Sequence, residues 1–232
     1  IARIGGNYDA KFGQILHKAM ADALLEGRIN YQTLSVRREE LVAVIDACFP
    51  NLSPDERLFM HVEQTNLLKS LVTHWVTLHL DRILKDYTVV QVEVENTVVF
   101  QPDHFVSGEI AAVLRPMELP FRVDAMLRHK ADGNLFILDF KTATMTSEDW
   151  AIKLDNSLQS NMYIAAAEQH FGEYVAGIIY AGLVKGRREE DKALSSPYRG
   201  YVIQYGSFLY GWKDKEGKVF KDYVKGRTRQ FL

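Results

Sequence analysis

Cysteine is almost missing from this sequence: Cys48 is the only one in 232 residues. A single thiol excludes an internal disulfide, a four-cysteine zinc site and a four-cysteine iron–sulfur cluster. No apolar run approaches the roughly eighteen residues a membrane-spanning helix needs, so no membrane partner is expected. Internal repeats, low-complexity tracts and Pro/Gly/Ser-rich linkers are absent as well, which predicts one domain over residues 1–232. There is no Walker A sequence, so any helicase activity would have to come from another polypeptide or a missing segment. Ile1–Gly6 shows neither an initiator Met nor a signal-peptide pattern. That predicts a trimmed or partial chain working in the cytoplasm.

What is present is ordinary globular composition, 47% hydrophobic and 25% charged, in a chain long enough to bury a sizeable core. The net charge of −2 does not single out a nucleic-acid binder, but its distribution is uneven. From Lys185 onward there are twelve Lys and Arg against six Asp and Glu, while the rest of the chain is acidic. Such a segment, with Lys185, Arg187, Arg188, Arg227 and Arg229, would either follow a phosphate backbone or form a solvated face.

The first part, residues 1–86, reads mainly helical. Phe12, Leu16, Met20, Ala23 and Leu24 recur at helical spacing until Gly27. A second helix is expected over Arg37–Ala47. Ser53-Pro54-Asp55-Glu56 is a start signal, with a Ser cap, Pro at the first helical position and Glu three residues after the Ser. The stripe behind it runs to about Asp86, with a break expected near His74–His79. From Tyr87 the period becomes 2, predicting strands at Thr88–Glu95, Thr97–Gln101, Phe121–His129 and Leu135–Thr142. A helix over Asp149–Phe171, a buried strand over Val175–Leu183 and a strand at Tyr201–Tyr205 follow. Residues 87–183 thus read as an αβ core and 184–232 as a basic C-terminal segment, giving an α/β layer fold.

Two strands carry charges where apolar side chains should be buried: Phe121-Arg122-Val123-Asp124 and Leu138-Asp139-Phe140-Lys141. Buried charges are rare unless paired or bound to a metal. A two-residue turn at Asp132-Gly133 would set Asp124 opposite Lys141 and Asp139 opposite Met126. Alternation then puts Asp124, Asp139 and Lys141 on one face. Hard anionic oxygens suit Mg²⁺ or Mn²⁺, and an adjacent ammonium can orient or deprotonate water or offset charge on a phosphate. The competing reading is a buried Asp–Lys ion pair that merely ties the hairpin together.

Asp124 followed by Asp139-Phe140-Lys141 on the next strand resembles the motif of the PD-(D/E)XK nuclease superfamily. Gln159-Ser160-Asn161-Met162-Tyr163 is similar to the Gln-x-x-x-Tyr signature of its RecB-like exonuclease branch. Phe12-Gly13-Gln14-Ile15-Leu16-His17 is similar to that branch's Gly-x-x-x-His helix motif. The resemblance implies a restriction-endonuclease-like core, with a mixed central sheet flanked by helices and a helical N-terminal region. It implies that Asp124 and Asp139 bind Mg²⁺ or Mn²⁺, that His17 is a further ligand, and that Lys141 acts on the attacking water. Gln159 and Tyr163 would touch DNA or brace the metal ligands. Glu93 resembles an acidic residue of the branch, with Glu95 competing for that assignment. Relatives with an iron–sulfur cluster carry four cysteines, so no iron–sulfur cluster is expected here.

The implied function is metal-dependent hydrolysis of DNA by an exonuclease acting on ends or single strands, in a bacterial or phage-infected cell. Recombination, repair and phage DNA processing stay open, as do a helicase or recombination partner and a homo-oligomer. The alternative is a catalytically silent module of the same fold that binds DNA ends or scaffolds a helicase–nuclease complex. Each motif also has a plainer reading: His17 as a satisfied core histidine, Gln159 and Tyr163 as ordinary packing of an amphipathic helix. His61, His74 and His79 are read as structural or surface residues.

Overall fold

The computed structural model describes residues 5–101, 115–143, 158–184 and 206–210. Helix α1 spans Gly5–Glu26, α2 Tyr31–Cys48 and α3 Pro54–Trp75. A π-helical turn, Val76–Leu80, leads into the short α4, Asp81–Asp86. Strands β1 (Tyr87–Phe100), β2 (Met117–His129) and β3 (Leu135–Ala143) follow, then α5 (Leu158–Phe171), β4 (Val175–Val184) and β5 (Gly206–Tyr210). They form one sheet in chain order, antiparallel except that β3 and β4 run parallel. A parallel neighbour needs a crossover, and α5 lies within it.

Local chemistry explains the helix ends. Ser53 and Glu56 make the reciprocal capping box, with Pro54 at the first turn. Helix α2 begins six residues before the expected Arg37, because Asn30 accepts the amides of Gln32 and Thr33. The expected break near His74–His79 is the π-helical turn. Apolar stripes of α1, α2 and α3, including Leu16, Leu41, Leu68 and Trp75, join Met126, Ile137 and Ile179 of the sheet in one core. No helix among the described residues is long and apolar enough to cross a membrane.

Two expectations for the sheet are corrected, and a third lies outside the described residues. The strands expected at Thr88–Glu95 and Thr97–Gln101 are one strand, β1, whose ladder to β2 continues through Asn96. A bulge between Val89 and Gln91 and a positive φ of 48° at Glu93 bend it without ending it. The hairpin turn holds four residues, Lys130–Gly133, because His129 pairs with Asn134 and the Gly133 amide returns to the His129 carbonyl. Gly133 sits at φ +75°, which a side chain would disfavour. The β2–β3 register therefore runs through Ala125 opposite Leu138, two residues from the expected pairing. Finally, the last described strand is Gly206–Tyr210. The expected strand at Tyr201–Tyr205, the helix before Leu158 and all twelve Lys and Arg from Lys185 onward, Lys185, Arg187, Arg188, Arg227 and Arg229 among them, lie outside the described residues.

Candidate active site

Strand β2 stays paired to β1 along its length, and β3 stays paired to β4 through Ala143. Between them, pairing is confined to Ala125–Arg128 with Leu135–Leu138. Beyond Ala125 the two middle strands part, and both conspicuous acids lie just past that point. Because the register differs by an even number of residues, Asp124 still falls in line with Asp139, and no residue changes face. An odd displacement would have scattered them.

Where strands part, backbone amides lose their ladder acceptors and need others. The Phe140 amide donates instead to Asp124 Oδ2 at 2.7 Å. The other carboxylate oxygen, Oδ1, lies 2.8 Å from Nδ1 of His17 on α1. A carboxylate only accepts, so the imidazole carries its proton on Nδ1 and leaves the Nε2 lone pair free of that bond. Phe140 is fully buried, its ring edge-on to Trp75 at 5.2 Å and 5.9 Å from the His17 ring. Helices α1 and α3 thus fix the strand segment between Asp139 and Lys141.

Alternation along β3 turns Asp139 and Lys141 away from Phe140. Lys141 Nζ donates to Asp139 Oδ1 at 3.2 Å and stands 2.9 Å from Oδ2. That second oxygen is sealed from water and, apart from the Lys141 ammonium, has no hydrogen-bond partner among the described residues. Asp124 and Asp139 are only 6% and 7% exposed, so both are buried carboxylates. Burial raises the pKa of Asp139, the charges of Lys141 and His17 oppose the rise, and that of Asp124 adds to it. Burial would lower the pKa of Lys141, but the charge and hydrogen bond of Asp139, with Asp124, carry it upward overall.

The expected residues therefore arrive as two adjoining pairs, Asp124 with His17 and Asp139 with Lys141. Asp139 feels the charges of both Asp124 and His17. As placed, no three His, Cys, Asp or Glu side chains among the described residues stand close enough to hold an ion. The fit to a divalent cation is one of donor type. Carboxylate oxygens with lone pairs to spare, one of them met only by the Lys141 ammonium, lie beside a ring nitrogen and suit Mg²⁺ or Mn²⁺.

Glu93 lies between the pairs Val92–Ala125 and Val94–Val123, across β1 from Asp124. One of its oxygens pairs with Arg122, and Oε1 is buried without a hydrogen-bond partner among the described residues. Glu95 is exposed, opposite Arg122. On α5, Gln159 Nε2 donates to the Tyr163 hydroxyl at 2.8 Å, with Gln159 exposed and Tyr163 packed partly into the core. His61 bonds Asp46 at 2.9 Å and His74 is exposed.

One contact beside the site had no signal in the sequence. Tyr180 of β4 is the strand neighbour of Asp139, and its buried hydroxyl hydrogen-bonds Ser160 on α5. That bond ties the end of α5 carrying Gln159 to the strand next to Asp139. Arg122 was equally unmarked. Its pKa is raised above all by the hydrogen bond to Glu93, against burial, with Glu93, Glu95 and Asp124 adding charge.

A sequence model of the PD-(D/E)XK nuclease superfamily matches residues 4–219. The chain belongs to that superfamily. Its mixed sheet, flanked by helices and preceded by a helical N-terminal region, is consistent with the restriction-endonuclease-like fold. Members of the PD-(D/E)XK superfamily are generally nucleases that typically use divalent metals, so membership points to nuclease activity and DNA binding. No curated protein matches the chain.

Proposed function

We propose that the protein is a Mg²⁺- or Mn²⁺-dependent deoxyribonuclease of the RecB-like branch, acting as an exonuclease on DNA ends or single strands. The observation that carries this reading is the placement of Asp124 with His17, and of Asp139 with Lys141, where β2 and β3 part. Capping the Phe140 amide accounts for one oxygen of Asp124, but a hairpin held by a simple ion pair has no use for an imidazole on the other. The Gly13-x-x-x-His17 and Gln159-x-x-x-Tyr163 patterns support the branch assignment. The work itself belongs to recombination, repair or phage DNA processing.

Asp124, Asp139 and His17 would hold the ion, with Glu93 near Asp124. When bound, a divalent cation polarises the scissile phosphate and makes a coordinated water more acidic. The protein's own residues do the rest. His17 and the Phe140 amide keep the Asp124 carboxylate oriented. Lys141, held by Asp139, orients water and offsets the negative charge that builds on the phosphate as the bond breaks. Gln159, exposed at the start of α5, faces the strand or braces the ligands through Tyr163.

Release of acid-soluble nucleotides from linear DNA, with Mg²⁺ or Mn²⁺ and in EDTA, tests the reading against an Asp139→Ala variant. Metal-dependent release by the wild type, lost in the variant, is the expected result. DNA binding without release under either metal would favour a silent module. A closed circle left intact while linear DNA is consumed marks the exonuclease.

A further inference from the structure

Gly13 lies in the interior of α1, one turn before His17 and on the same side of the helix. A helix interior is an unfavourable place for glycine, which gives up more backbone freedom on folding than alanine and packs nothing. Structural explanations for such a residue are a positive φ, a crowding neighbour or a helix end. Gly13 is not among the positive-φ glycines Gly27, Gly133, Gly172 and Gly177. Among the described residues nothing stands within 4 Å of where its Cβ would lie. Helix α1 continues for several residues on either side. The missing side chain therefore serves no packing purpose within the described fold, and what adjoins the bare patch is the imidazole that reaches Asp124.

We propose that the backbone of α1 at Gly13 is a substrate-binding surface, against which the sugar–phosphate backbone of a DNA strand lies as it enters the site at Asp124 and Asp139. This rests on the nuclease reading and deepens it by assigning the strand's entry to α1. A strand backbone is the occupant of matching chemistry. It needs close approach without base-specific contacts, and the exposed Gln14 beside Gly13 presents an amide donor of the kind phosphate oxygens accept. The glycine admits the strand to a distance that even a methyl group would forbid.

The test is Gly13→Ala and Gly13→Val in the whole chain, read by urea denaturation and by affinity for linear DNA. Ca²⁺ replaces Mg²⁺ in the binding assay so that the strand is not cut, and kcat and KM are then measured with Mg²⁺ or Mn²⁺. The expected Ala variant unfolds at the same or a higher urea concentration, yet binds DNA about tenfold more weakly. The loss should fall on KM rather than kcat, and Val should bind more weakly still. An Ala variant that binds like the wild type overturns the inference. One that unfolds more easily also overturns it, because the patch is then covered by the chain itself. A wild type that binds DNA but does not cut it overturns the nuclease reading and leaves the Gly13 comparison decisive. A wild type that binds no DNA overturns both.

Discussion

The Phe140 amide donates to the Asp124 carboxylate at 2.7 Å, at the place where β3, still paired to β4, parts from β2. Asp124 is thus structural and chemical at once: it replaces a lost ladder acceptor and presents charge to the site. The two roles separate by mutation. Asp124→Ala leaves a buried amide without an acceptor and should cost about 1–3 kcal/mol of stability. Asp124→Asn keeps an acceptor and should lose less. Both should abolish metal-dependent nucleotide release. Urea denaturation beside the release assay checks this, and equal destabilisation by the two variants would contradict it.

Lys141→Met removes the partner of a buried carboxylate. Hydrolysis should fall by roughly 100-fold or more, while DNA affinity in Ca²⁺ changes little. Stability at neutral pH should also fall, because buried Asp139, already beside the like charge of Asp124, loses its paired ammonium. Adding Asp139→Asn to Lys141→Met should restore stability without restoring activity. Urea midpoints for the two single variants and the double variant give the comparison.

Divalent metal should stabilise the fold, since two neighbouring buried acids repel one another without it. At a hundredfold excess over Kd, binding to the folded chain alone adds about 2.7 kcal/mol. Thermal melting with Mn²⁺ should therefore run above melting in EDTA, and Asp139→Asn should remove most of the difference. Calorimetric titration of the same proteins checks the binding itself.

A separate group contributes to alkaline stability. Tyr87 is pushed up to about 12 by burial, with the charges of Asp86 and Asp132 adding. The folded chain therefore favours the neutral phenol. Its contribution is whole below the free-tyrosine value of about 10 and fades as pH climbs through about 12. Tyr87→Phe should flatten the loss of stability between about pH 10 and about pH 12, seen as a smaller drop in urea midpoint.

The elements legible in the sequence were those whose signals are local. Ser53, Pro54 and Glu56 carry the start of α3 within four residues, and Gly27 follows the end of α1. Asn30 was as strong a cap, but it precedes a polar first turn, so periodicity alone placed the start of α2 too late. The hairpin register was misjudged because Asp132-Gly133 resembles a two-residue turn, whereas the loop also takes in Lys130 and Ala131. The shared face survived because side-chain alternation has period two and the error was even. What Asp124 does for Phe140 could not be read, since it depends on where two strands diverge. The Ser160–Tyr180 bond was hidden for a similar reason, its partners lying on different elements.

The outermost strand, β1, is fourteen residues long and has one edge without a neighbour among the described residues. A straight edge of that length is a template on which another chain can crystallise into extended sheet. The bulge after Val89 and the left-handed backbone at Glu93 throw its outward amides and carbonyls out of step. The bends of β1 therefore guard the molecule against stacking with its own copies.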